Sequence, residues 1–223
     1  MKDATAQPAY YPAFLLITGK RCLVVGGGEV ALRKVEDLLE AGAAVTVIAP
    51  NVLAAMPAAA TVLRRAFKAD DLEGAWLAFA ATDDAAVNAQ VAREGERRRI
   101  WVNVVDDPAQ CSMILPSVLK RGALRIAIST AGASPTLARQ IRQELEQCYG
   151  PEYGELVELL GLLRLRYAPA LQDSALPDPA RRRMWESVLR LPLLDLLRAG
   201  ERKSALELAQ EVINGFFDRI NRI

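Results

Sequence analysis

The stretch Arg21-Cys22-Leu23-Val24-Val25-Gly26-Gly27-Gly28-Glu29-Val30-Ala31-Leu32-Arg33-Lys34 decides how the rest of this chain is read. The short apolar run Arg21 to Val25 ends in three glycines. Apolar residues then recur at helical spacing, at Val30, Ala31, Val35, Leu38 and Leu39, until Gly42 offers a stop. A buried strand that enters a glycine turn and leaves it as a helix is the opening of a dinucleotide-binding unit. In this GxGxxA pattern Gly26 permits the sharp turn and Gly28 lets the backbone approach a pyrophosphate. Ala31 allows close helix–strand packing, and the helix N-terminus offers N–H donors to the anion. A merely tight structural turn would use the same glycines, and the strand–turn–helix context weighs against that plainer reading.

Outward from this turn the signals alternate. Ala44 to Ala49 (AVTVIA) is a second buried strand, closed by Pro50-Asn51. Val62 to Phe67 is a weaker edge strand that carries arginines. Trp76 to Ala81 (WLAFAA) is a core strand followed by a helix from about Asp84 to Arg99, and Ile100 to Val105 (IWVNVV) completes the series. The succession predicts an α/β fold, a Rossmann-like parallel-sheet domain over residues 1–110 with helices on both faces. After Pro108 the pattern changes. Met113 to Leu119 and Leu124 to Ser129 read as two strands joined through Lys120-Arg121-Gly122, and a helix follows from Pro135 to Gln147. A small α+β unit over 111–148 cannot bury an adequate core alone, so it is expected to pair with a second copy and give a homodimer. Residues 149–223 are expected to form a helical C-terminal domain, with a loop over 173–179.

Composition narrows the chemistry. The 223 residues carry a formal net charge of +1, so no bulk field argues for nucleic acid or a membrane surface as partner. Three cysteines without CxxC spacing argue against a disulfide framework or a zinc site. The apolar stretch near the start is too short and interrupted for a signal peptide or spanning helix, and a cytoplasmic location is expected. There is no histidine, the usual acid/base group near neutral pH and the usual transition-metal ligand. Catalysis must therefore rest on carboxylates, hydroxyls, lysine or a cofactor, and no resident metal site is expected.

Several positions are candidates for the site. The tip of the second strand, Ala49-Pro50-Asn51, lacks the acidic residue that binds both ribose hydroxyls. No arginine follows directly, since Arg64 and Arg65 lie well beyond the strand tip in sequence, which favours NAD over NADP. Asn51 either meets the ribose or caps the turn. Thr82 and Asp83, in AATDD at a carboxyl strand end, lie where open parallel sheets bind ligands, and either could also serve as N-cap of the next helix. Asp106, in NVVDDP, lies on the same rim and is the best-placed acid/base group, although an Asp-Asp-Pro is more often a turn. The loop Ser129-Thr130-Ala131-Gly132-Ala133-Ser134-Pro135 is rich in hydroxyls and feeds a helix N-terminus. Ser134 suits an N-cap, and the loop can hold a carboxylate. Lys120, Arg121, Arg139 and Arg142 are cations in the same unit, suited to carboxylate ligands.

Taken together, GGGEVALRK, AATDD with the following Val-Asn, NVVDDP and ISTAGASPTLAR resemble the precorrin-2 dehydrogenase/sirohydrochlorin ferrochelatase family and the amino-terminal half of siroheme synthases. The similarity extends over nearly the whole chain, weakest before Tyr11 and across Leu171 to Pro179. It implies that precorrin-2, a polycarboxylate tetrapyrrole, loses a hydride to NAD and a proton to give sirohydrochlorin. Many members then insert ferrous iron, so ferrous or cobaltous ion is implied as a further substrate. The family's important aspartate falls on Asp106, and its cofactor contacts fall on Glu29, Val30, Pro50 and Asn51. The cofactor set is thus Gly26, Gly28, Glu29, Val30, Pro50, Asn51, Thr82 and Asp83. The substrate set is Ser129, Thr130, Ser134, Arg121 and Arg139. Thr130 stands where the family carries a serine, which leaves a hydroxyl in place. Three readings are open at this point: dehydrogenase with chelatase, dehydrogenase alone, or a non-catalytic dinucleotide-binding regulatory module.

Overall fold

A computed structural model describes residues 9–173 and 178–220. The chain forms two compact units. One comprises the residues through Leu115 together with Thr130–Ser134, and the other comprises Pro116–Ser129 and the residues from Pro135 onward.

The first unit is built on β1 (Arg21–Val25), β2 (Ala44–Ile48), β3 (Thr61–Leu63), β4 (Leu77–Ala80) and β5 (Trp101–Val104). They form one parallel sheet in the order β3-β2-β1-β4-β5. β1 lies in the middle because its residues are buried on both faces, which is what its unbroken apolar run requires. Successive side chains of the strand separate into two cores. Cys22 and Val24 join Val45, Val47, Leu77 and Phe79 beneath α1 (Glu29–Glu40), which contributes Ala31, Val35 and Leu38. Leu23 and Val25 join Ile48, Ala78, Ala80, Val102 and Val104 on the opposite face, beneath α2 (Ala85–Arg98) with its Val91. The expected sandwich of helix, sheet and helix is therefore present.

Boundaries depart from the sequence expectation at both edges of the sheet. β3 is only three residues long, because Arg64 and Arg65 leave the ladder. The Arg65 guanidinium forks onto the Asp71 carboxylate at 2.6 and 2.8 Å, and the same carboxylate accepts from the Lys68 amide at 2.8 Å. That arginine holds the Asp71 carboxyl below the usual carboxylate range. At the other edge, β5 is flanked by the stretch 111–113. Ser112 N and Met113 N both donate to the Val102 carbonyl, and Ser112 Oγ accepts from Val102 N at 2.7 Å. This covers a row of backbone groups that would otherwise be an open edge.

In the second unit, β6 (Ser117–Arg121) and β7 (Leu124–Ile128) pair antiparallel. The first of these strands begins four residues later than Met113, since 111–113 serves β5, and it runs on through Lys120 and Arg121. α3 (Pro135–Cys148) packs on the hairpin. α4 (Glu152–Asp173) meets the hairpin turn glycine to glycine: a Cβ on Gly122 would lie 3.2 Å from the Gly154 Cα. α5 (Asp178–Leu189), α6 (Leu193–Arg198) and α7 (Arg202–Ile220) complete the unit. Leu159, Leu163, Met184, Val188, Leu197, Ala209 and Ile213 are its core. The expected loop over 173–179 falls largely outside the described residues, and Asp178 and Pro179 already belong to α5. No helix among the described residues is long and apolar enough to cross a membrane.

Gly95 offers a test of the α2 face. It sits mid-helix, where glycine normally weakens a helix, yet a Cβ there would run into Val102 Cγ2. Gly95→Ala is expected to lose about 1–3 kcal/mol by overpacking, despite alanine's helix propensity. Urea unfolding checks this: paired with Val102→Ala, the loss should be clearly less than the sum of the two single changes.

Candidate functional site

The carboxyl ends of the parallel strands converge on one rim, and its geometry begins with the three glycines. Gly26 has a φ of +133° and donates to the Ile48 carbonyl at 3.0 Å, while Ala81 N donates to the Val25 carbonyl at 2.8 Å. A Cβ on Gly26 would run into the Ala81 carbonyl oxygen. Gly27 is equally constrained: a Cβ there would strike the Asn51 carbonyl, and Leu53 N donates to the Gly27 carbonyl at 3.0 Å. The middle glycine, a free position in the GxG pattern, is thus demanded by the turn after β2. The sequence signal for it is a run of three glycines where the pattern needs two.

Gly28 is different. Nothing lies within 4 Å of where its Cβ would be, although it is the N-cap of α1 in extended conformation. No side chain caps this helix, so its first amides face the opening above Gly28. A glycine that no protein atom requires, at an uncapped helix N-terminus, is a cradle for an anion that approaches the main chain. A dinucleotide pyrophosphate fits it. Glu29 is exposed in the first turn, Val30 is half-buried, and Pro50 and Asn51 are exposed at the β2 tip.

At the β4 tip the cap differs from expectation. Neither Thr82 nor Asp83 is the N-cap of α2; Asp84 is, accepting from Ala86 N at 2.8 Å and Val87 N at 3.2 Å. Thr82 serves a different contact. Its hydroxyl donates to Asn88 Oδ1 at 2.8 Å and accepts from Asp84 N at 3.2 Å, while Asn88 Nδ2 donates to the Thr82 carbonyl at 2.9 Å. Asn88 is the one buried polar side chain among the described residues, and it locks the Thr82 peptide. Asp83 is left exposed.

Asp106 lies two residues past β5, in a turn with φ +59°, a conformation uncommon for a residue with a side chain. Val105 N still donates to the Ala80 carbonyl at 2.9 Å, so the strand continues to the foot of the turn. Cys111 closes the turn: its Sγ accepts from Val104 N at 3.2 Å, and the S–H faces the Val104 and Asp107 carbonyls at 3.2 and 3.3 Å. Burial pushes the thiol pKa up, which keeps it a donor. The Asp106 side chain is exposed above this brace.

The loop Thr130–Ser134 groups with the first unit. Thr130 Oγ1 accepts from Ser134 N at 3.0 Å and Ala133 N donates to the Thr130 carbonyl at 2.9 Å, across Ala131 and Gly132 at positive φ. Ser129, Arg121 and Arg139 belong to the second unit. The Arg121 guanidinium is engaged with main chain at the end of α3: Nε donates to the Tyr149 carbonyl at 2.8 Å and Nη2 to that of Glu146 at 3.4 Å. Its geometry is that of a helix-end brace, while Arg139 is exposed. Among the described residues, no group of three or more Cys, Asp or Glu is arranged to hold a metal ion.

Three family models match the chain in succession: NAD(P)-binding over residues 13–117, the central region of sirohaem biosynthesis proteins over 121–147, and the sirohaem synthase dimerisation region over 152–213. The chain carries in order the NAD(P)-binding, central and dimerisation regions of the siroheme biosynthesis proteins. The siroheme synthase of Methylococcus capsulatus is 45% identical over 202 residues, 88% of this chain and 42% of that protein. That of Pseudomonas entomophila is 41% identical over 212 residues, 92% of this chain and 45% of the relative. The chain thus spans less than half the length of these curated relatives. Among solved structures, SirC, a precorrin-2 dehydrogenase, matches with a TM-score of 0.69 at 27% identity, covering 91% of this chain and 100% of that one. The NAD(P)-binding match spans the whole parallel sheet and supports a nicotinamide dinucleotide as cofactor.

Two glycine variants separate scaffold from ligand. Gly28→Ala meets no protein atom and is expected to cost no more than about 1 kcal/mol of stability, as a poorer N-cap, while weakening dinucleotide binding by roughly tenfold or more. Gly27→Ala must displace the Asn51–Val52 main chain and is expected to lose both stability and binding. Thermal unfolding and calorimetric titration with NAD read the two effects separately.

Proposed function

We propose that this chain dehydrogenates precorrin-2 to sirohydrochlorin with NAD as hydride acceptor, and that it then assists ferrous iron insertion to give siroheme. The observation that carries this reading is Asp106: an exposed carboxylate held at positive φ by a thiol-braced turn, on the rim that carries the glycine cradle. A residue kept in a sparsely populated conformation by its surroundings is a mark of function. What the bound dinucleotide supplies is a hydride acceptor.

The chain's own residues do the rest. Gly26, Gly28, Glu29 and Val30 form the pyrophosphate turn, with Pro50 and Asn51 at the adenosine ribose. Thr82 and Asp83 line the β4 tip. Asp106 takes the proton that leaves precorrin-2 along with the hydride, and it accepts the pyrrole protons displaced when ferrous or cobaltous ion enters. In a chain without histidine, a carboxylate is the group available for this. Of the residues proposed for the substrate's carboxylates, Thr130 and Ser134 group with the first unit and Ser129 and Arg139 with the second, while Arg121 keeps the end of α3 in place. The match to a dimerisation region supports a homodimer. A second reading, dehydrogenation alone, is favoured by SirC, whose name specifies a precorrin-2 dehydrogenase and which this chain covers in full.

Asparagine tolerates positive φ, so Asp106→Asn keeps the turn and removes only the base. In anaerobic incubation with precorrin-2 and NAD, this variant is expected to form NADH at least about 100-fold more slowly, with NAD affinity near that of the wild type. Full turnover by a folded variant would remove Asp106 from the mechanism. Adding ferrous ion to the wild type is expected to accelerate siroheme formation over the metal-only control; NADH formation without that acceleration selects the dehydrogenase-only reading.

A further inference from the structure

The residues just past the two outer strands place a cation where sequence spacing put none. β2 and β3 run parallel with Ile48 beside Leu63, so Arg64 leaves its strand level with Ala49, at the very tip of β2. The ladder continues there, with Ala49 N donating to the Leu63 carbonyl at 3.3 Å. The Arg64 side chain turns back along this tip, and its Nη1 donates to the Val52 carbonyl at 3.3 Å. Val52 adjoins Asn51 and belongs to the turn that closes against Gly27. Its neighbour Arg65 is committed to Asp71 by two hydrogen bonds, whereas Arg64 is exposed and holds only that backbone oxygen among the described residues. No carboxylate stands at Ala49-Pro50-Asn51 to repel an anion.

In sheets of this topology the tip of the second strand faces the adenosine ribose, where an acid selects the free 2′-hydroxyl and a nearby arginine accommodates a 2′-phosphate. We propose that Arg64 forms a 2′-phosphate subsite, so that this chain takes NADP as well as NAD. This rests on the rim being a dinucleotide site. Arginine suits the role because its fork presents parallel N–H donors to phosphate oxygens. The single bond to Val52 orients the guanidinium while leaving other donors to face the ligand.

Calorimetric titration of the full chain with adenosine 2′,5′-bisphosphate and with 5′-AMP isolates this subsite from the nicotinamide end. The bisphosphate is expected to bind roughly tenfold more tightly, an advantage that shrinks with added salt because the pair is exposed. Arg64→Ala is expected to bring the ratio of the two affinities to about one, and Arg64→Lys to leave part of it. Equal or weaker binding of the bisphosphate by a wild-type chain that binds NAD would overturn the subsite alone. Binding of neither NAD nor NADP would overturn the dinucleotide site and the subsite together.

Discussion

Main chain packed on main chain at the tips of β1, β2 and β4 is the contact on which the rest of the first unit depends. Gly26 lies against the Ala81 carbonyl and Gly27 against that of Asn51, with no room for a Cβ at either place. Side chains can change rotamer to relieve a clash, but backbone held in a sheet ladder cannot move without breaking hydrogen bonds on both sides. The two close approaches therefore tie three strand tips into one rigid platform. They also leave Gly28 as the turn's open position, at the start of a helix whose first amides no side chain caps.

The flanks of this platform are finished by polar side chains used as backbone substitutes. Asn88 supplies donor and acceptor to the Thr82 peptide beyond the end of β4. Cys111 and Ser112 do the same for Val104 and Val102 along β5, where no further strand follows. Each buried amide and carbonyl that a sixth strand would have satisfied has a partner here, which a water-excluded edge requires. A turn tied down at Val104, Asp107 and Cys111 can hold the Asp106 backbone in the left-handed region, beyond the end of β5.

The sheet, its parallel order of apolar runs, the glycine turn and the position of Asp106 beyond a strand end were all legible in the residues. Apolar runs bounded by turn residues are short-range signals, and each of β1, β2, β4 and β5 lies within a residue of where its run places it. Less legible were contacts between segments far apart in the chain. Gly27 occupies the free position of the GxGxxA pattern, and what demands it is Asn51, far along the chain. Asp84, not Thr82 or Asp83, caps α2, since three adjacent oxygen-bearing side chains are equivalent until the helix start is fixed in space. Met113 reads as the start of β6 because its apolar pattern does not reveal that its amide serves β5.

Arg64 and Arg121 show the same division most sharply. Sequence alone determined that Arg64 lies in a weak edge stretch and Arg121 in a strand connection, and that no histidine or acidic ribose partner is available. Tertiary structure decided what each meets: parallel pairing carries Arg64 level with Ala49, fifteen positions earlier in the chain, beside Val52, and hairpin packing turns Arg121 onto the carbonyls that end α3. The physical reason is that a side chain's charge is a property of the residue. The groups that charge meets are set by which distant backbone lies within its reach.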